Sequence, residues 1–122
     1  CENLILHGRV PSDELFNILD ECLAIVAPST EEMFGNQLIE GLMRGCHGIV
    51  TDQTAMAENV RRFGNGTIVP QGDSCAIADA MVEMLKSPPT EDVIQKTRQN
   101  INEYMSPKAV ANKHFKLYKR IK

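Results

Sequence analysis

The chain has 122 residues, 43% of them apolar and 24% charged, the balance of one folded domain rather than of a disordered segment. Lys plus Arg total 13 against 16 Asp plus Glu, so a net charge of −3 gives no electrostatic case for a nucleic-acid binder. No apolar run approaches the ~20 residues a membrane-spanning helix needs, and Cys1-Glu2-Asn3 does not open a secretory signal.

Asn3-Leu4-Ile5-Leu6-His7 is a short apolar run without polar alternation, which reads as a strand buried on both faces, the habit of parallel sheets. Pro11-Ser12-Asp13 then opens a helix, with Ser12 as N-cap and Leu15, Ile18, Leu19 and Cys22 on one stripe. Leu23–Ala27 is a second strand. Asn36–Arg44 is a second helix, with Leu38, Ile39 and Leu42 facing inward and Gly45 at its end. A third strand at Gly48–Thr51, a short helix from Thr54 to Arg61 and a fourth strand at Gly66–Val69 follow. Asp73 caps the next helix, where Ile77, Ala80, Met81, Met84 and Leu85 give the best helical periodicity in the chain. Ser87-Pro88-Pro89 stops it.

Beyond Pro89 the texture is helical. Thr90 caps a polar helix carrying Val93, Ile94, Thr97, Ile101 and Tyr104. Ser106-Pro107, an N-cap followed by an N1 proline, starts a last helix through Ile121. Strand starts lie about 20 residues apart, room for one crossover helix each. Residues 1–122 therefore read as one α/β domain: a Rossmann-like parallel sheet of about four strands with flanking helices, closed by the helices of residues 90–122. The chain begins almost directly at a buried-type strand, so further strands upstream, and hence an incomplete domain, are expected.

The four cysteines contain no CxxC pair. Cys22 and Cys46 adjoin apolar runs, as buried free thiols do, which leads to the expectation of reduced thiols in a cytoplasmic setting. His7, His47 and His114 share no metal-binding spacing, and no metal site is expected.

The chemistry concentrates in the loop after the second strand, Ala27 to Glu40, because ligands of wound parallel sheets gather at the carboxyl ends of strands. Gly35, just before a helix, permits close backbone approach. The N–H groups of Phe34 to Gln37 would point out of the helix N-terminus toward anions or sugar oxygens. Glu32 would sit at the mouth of the turn and Glu40 about one turn inside the helix. Two carboxylates beside an anion-attracting helix end suit a ligand that carries both hydroxyls and phosphate, as a sugar nucleotide does. The plainer reading is that Glu31 and Glu32 complement the helix dipole while Glu40 is solvated.

Pro28-Ser29, Glu32-Met33-Phe34-Gly35, Leu38-Ile39-Glu40, Gly45 and Ile49-Val50-Thr51 together resemble the family 4 glycosyltransferases of the GT-B fold. His7-Gly8-Arg9-Val10, Glu58-Asn59-Val60 and Gly64 to Asp73 extend the likeness in the same order. The resemblance implies the C-terminal donor-binding domain of a retaining enzyme that moves a sugar from a nucleotide-diphosphate sugar to an acceptor. It implies Glu40 on the ribose hydroxyls and Glu32 as the catalytic carboxylate on the transferred sugar. It places the backbone of Met33, Phe34, Gly35 and Asn36 around the donor, with Gly8, Arg9 and Val10 near the base. No metal or cofactor beyond the donor substrate is implied. The partners implied are the nucleotide sugar and an N-terminal acceptor-binding domain absent from this chain, so the chain alone is expected to be inactive.

The sequence departs from the family where His47-Gly48 replaces a proline and a branched residue, and where Gly41, Leu42, Met43 and Arg44 replace its usual residues. A non-catalytic nucleotide-binding or flavodoxin-like interaction module is the alternative, with Asp52 as the acid after the third strand. Lys108, Lys113, Lys116, Lys119, Arg120 and Lys122 give the last helix a basic face. It reads as solvated; peripheral membrane contact or packing on a missing domain lacks support from the residues alone.

Overall fold

The computed structural model describes residues 3–121. Its elements are α1 (Ser12–Glu21), β1 (Ala24–Ala27), α2 (Asn36–Arg44), β2 (His47–Thr51), α3 (Ala55–Phe63), β3 (Gly66–Val69), α4 (Ser74–Lys86), α5 (Glu91–Met105) and α6 (Pro107–Ile121). The strands form one parallel sheet in the order β1-β2-β3, with Val26 beside Ile49 and Ile49 beside Thr67. The crossover helices α2 and α3 make the expected βαβ units.

Side chains alternate across β2, which decides how the core divides. Val50 joins Leu38 and Leu42 of α2, Met56, Val60 and Phe63 of α3, and Ile101 of α5 in the larger cluster. Ile49 points the other way, to Val69 and to Ala80 of α4. The second face is thinly covered, and Val26 of β1 stays partly exposed there.

The run Asn3–His7 is the main correction. Among the described residues the sheet has three strands, not about four, and residues 3–7 are irregular. Leu4, Ile5 and Leu6 are exposed, with no neighbouring strand to take up their backbone groups. Ser12 is not the cap of α1 either; Pro11 holds that position, and Cys22 is exposed while Cys46 is buried. The caps at Asp73, Thr90 and Ser106 agree with the sequence, whereas Thr54, read there as the first residue of its helix, lies just ahead of α3 as its cap. Thr54, Asp73 and Thr90 each accept the N–H three residues on, and Ala109 N–H donates to Ser106 Oγ at 3.2 Å ahead of α6.

Both family departures have a local cause. Gly45 closes α2 in a left-handed conformation at φ 99°, with Cys46 N–H donating to Gly41 O and Gly45 N–H to Leu42 O, a Schellman end. Arg44 then turns outward to Asp20 at 2.7 Å and stacks over Phe16. His47 N–H donates to Leu23 O at 2.8 Å, a bond proline cannot make. Gly48 is buried, and a β-carbon there would lie 2.7 Å from Leu38 Cδ1, so the branched residue of the family has no room. Replacing Gly48 by valine is therefore expected to lower stability by about 1–3 kcal/mol through overpacking. An unchanged denaturation midpoint would show that Leu38 yields freely.

The last helix behaves differently. None of the α6 side chains is buried, its substantial contact is with α5, and Phe115, Leu117, Tyr118 and Ile121 lie open. Truncation after Met105 is expected to lower stability by less than about 1 kcal/mol, because surface changes of this kind cost little. A larger loss would mean that α6 carries part of the core.

Candidate functional site

All three strands end at the same edge of the sheet, so the loops after β1, β2 and β3 come together there. The loop after β1, residues 28–35, is held by its carbonyl groups. Thr51 Oγ1 donates to Ser29 O, and Gln71 Nε2 donates to Thr30 O at 2.6 Å. Ala55 N–H donates to Glu32 O at 3.2 Å, and Asn59 Nδ2 to Phe34 O at 2.7 Å. The loop is thus tied to β2, to the turn after β3 and to α3.

Gly35 ends the loop and begins α2. Its φ of 77° is left-handed, and a β-carbon would lie 2.2 Å from Met56 Cγ. Leu38 N–H and Ile39 N–H both donate to Gly35 O, which leaves the N–H groups of Asn36 and Gln37 at the open tip of α2.

Glu32 folds back over this tip. Its Oε1 accepts Phe34 N–H at 3.3 Å and Gly35 N–H at 3.2 Å. The Phe34 N–H, more than the smaller contributions of Gln37, Gly35 and Met33, holds the Glu32 carboxyl below the usual carboxylate range against a partial desolvation. Two of the N–H groups expected to face a ligand are therefore shared with Glu32, and both of these bonds end on one of its oxygens. Glu40 is half-buried on α2. At about 100° per residue it lies about 40° from Asn36 and about 160° from Leu38 and Leu42, so it points away from the core and along the flank of the open tip. Met33 is almost fully exposed, Phe34 partly so, and Asn36 is exposed.

Gly8, Arg9 and Val10 lie in the irregular segment ahead of α1, where Arg9 and Val10 line a shallow cleft of 350 Å³ with Pro11 and Ser12. No hydrogen bond joins these residues to the 28–35 loop among the described residues. A cleft of 440 Å³ borders the site at Gln53, Thr54, Ala55, Glu58 and Arg61. Clefts of 360 and 310 Å³ between α3 and α5, around Arg62 and Asn100, lie at the other end of α3. No group of three or more His, Cys, Asp or Glu residues among the described residues is placed to hold a metal. No helix among them is long and apolar enough to cross a membrane.

The order of loop, glycine turn, capped helix and parallel strand has a counterpart among known sequences. Residues 1–87 match the family described as glycosyl transferases group 1. The chain belongs to this family. No curated protein matches it in sequence. In fold, this glycosyltransferase chain is similar to sucrose-phosphate synthase from Thermosynechococcus elongatus, with a TM-score of 0.83 and 22% identity. The match covers 98% of this chain and 30% of the synthase, so the chain corresponds to under a third of that protein and to a GT-B domain within it.

Sequence reasoning did not find the residues that fix this glycosyltransferase loop. Thr51, Asn59 and Gln71 lie within stretches that carry the family likeness, but nothing in those stretches marks their side chains as ties for this loop. His47, by contrast, lies at the start of β2, at the opposite end of the sheet from Glu32.

Two expectations follow from the geometry. Gly35→Ala combines a left-handed backbone with a clash against Met56 and should cost about 2–4 kcal/mol; a stability loss under about 0.5 kcal/mol would contradict the packing. The lowered Glu32 carboxyl stabilises the fold above the unfolded-state pKa, and that contribution disappears as pH falls through the lower folded-state value. Carboxyl carbon chemical shifts should accordingly place the Glu32 midpoint below that of an exposed glutamate; an equal or higher midpoint would contradict the capping bonds.

Proposed function

We propose that this chain is the donor-binding part of a retaining glycosyltransferase that transfers a sugar from a nucleotide-diphosphate sugar to an acceptor. The observation that carries the reading is the open N-terminus of α2 at the carboxyl edge of the sheet, with Glu32 fixed over the tip and Glu40 about one turn into the same helix. Family membership supports the reaction class, and the geometry supports a ligand that is both anionic and rich in hydroxyls.

In this reading the nucleotide ribose hydroxyls donate to Glu40, and the free oxygen of Glu32 accepts a hydroxyl of the transferred sugar. The diphosphate lies toward the N–H groups of Asn36 and Gln37 and the positive end of the α2 dipole. The bond between the sugar and the diphosphate breaks, and charge builds on the leaving group. Fixed N–H dipoles interact more strongly with that charge than with the intact donor, which is the differential stabilisation catalysis requires. The left-handed turn at Gly35 holds those dipoles before the donor arrives, so little reorganisation accompanies the reaction. Retention of configuration, absence of a metal requirement and an acceptor site on a separate domain belong to the same proposal.

Asp52, on which a flavodoxin-like module would depend, accepts Gln71 N–H at 2.9 Å and so serves the loop framework. Glu40→Ala in the intact enzyme tests the transferase reading. Loss of two charge-assisted hydrogen bonds should weaken donor binding by about a hundredfold or more. Near-normal donor affinity and turnover in that variant would overturn the assignment of Glu40.

A further inference from the structure

The acidic loop is built to keep its shape. Its ends are clamped from two directions: Gln71 reaches across the end of β2 to Thr30 O, and Asn59 rises from α3 to Phe34 O. Only residues 31–33 lie between the clamps, and Ala55 N–H fixes their midpoint at Glu32 O.

Neither clamp is explained by packing. Asn59 is 8% exposed on the face of α3 that also carries Met56, Val60 and Phe63. An apolar residue would fill that place at no polar cost, whereas a buried amide needs a partner. The Phe34 carbonyl supplies the acceptor, and without Asn59 it would lose that bond at the entry to α2. Gln71 is aimed in a similar way. Asp52 Oδ1 holds its backbone N–H at 2.9 Å, and the chain turns away immediately at Gly72, where φ is 79°.

We infer that Asn59 and Gln71 are positioning residues of the donor site, which hold the 31–33 segment so that Glu32 caps the α2 tip with its second oxygen left for a donor hydroxyl. The inference rests on the donor-binding reading only for the ligand; the clamp itself is a statement about the loop. Release of Phe34 O lets the Phe34–Gly35 peptide turn, and the Gly35 N–H on that same plane, which donates to Glu32 Oε1 at 3.2 Å, turns with it. Release of Thr30 O frees the other end of the same segment. Misplacement of a binding group by about 1 Å is enough to cost up to a hundredfold in rate.

The test compares wild type, Asn59→Ala and Gln71→Ala in the intact enzyme. Its readouts are the melting temperature, the titration midpoint of the Glu32 carboxyl by carbon NMR, and KM and kcat with UDP-glucose, ADP-glucose and GDP-mannose as donors. Expected is an upward move of the Glu32 midpoint in both variants and a rise of about tenfold in donor KM. The Gln71 side chain is bonded at the surface, so Gln71→Ala remains informative if Asn59→Ala fails to fold. An unchanged Glu32 midpoint in the folded variants overturns the inference, even where the melting temperature falls. A wild type that accepts none of these donors counts against the donor-binding reading, and the titration then still decides the clamp.

Discussion

The structure turns on a glycine with no space for a β-carbon. Gly35 sits against Met56 in a left-handed conformation, and this contact sets both where the acidic loop stops and the direction in which α2 starts. A longer side chain would push α2 away from α3 or force the turn into another shape. Everything chemical about the site follows from that placement. The tip of α2 opens at the carboxyl edge of the sheet, Glu32 reaches two N–H groups from the loop it belongs to, and Glu40 comes up one turn later on the outward flank. The larger core cluster serves this geometry, since Leu38 and Leu42 anchor α2 while Met56 and Val60 anchor α3 beside it.

The two ends of the sheet are specialised. At the amino edge, Asn65 Nδ2 donates to Cys46 O, which turns its Oδ1 toward His47. His47 Nδ1–H therefore donates to Asn65 Oδ1 at 3.1 Å, and Nε2 pairs with Thr67 Oγ1 at 2.9 Å. The ring joins β2 to β3 and has no route to the loop that bears Glu32. At the carboxyl edge the ties run between loops instead, through Gln71, Asp52, Thr51 and Asn59. The first network stiffens the scaffold; the second shapes the surface that meets the ligand. The C-terminal ends of the helices are secured by α5, where Arg98 Nε donates to Met43 O and Asn100 Nδ2 to Phe63 O.

Much of this was legible in the chain, for a physical reason. Short β-rich runs flanked by turn residues, and helices with Asp73, Thr90 and Ser106 as caps, encode local structure in adjacent residues, which one sequence displays directly. Asn3–His7 has the same local signature and yet forms no strand, because a strand needs a neighbour and none is supplied within the described residues. The stripe on α4 likewise predicted Met81 and Leu85 inside, whereas the thin second layer buries only Ala80 and Met84. At the site, the glycine before α2 and the two glutamates were readable from spacing and family likeness. The clamps were not. A hydrogen bond between Gln71 and Thr30, 41 residues apart, leaves no periodic trace in the sequence.

The central claim is that the α2 tip and its two carboxylates form one receptor for a phosphorylated, hydroxyl-rich ligand. A crystal structure of the intact enzyme soaked with a nucleotide-diphosphate sugar tests it most directly. The account requires diphosphate density within hydrogen-bond distance of Asn36 or Gln37 N–H, with sugar and ribose hydroxyls on Glu32 and Glu40. Density seated instead in the cleft between α3 and α5, with the α2 tip untouched, would contradict it.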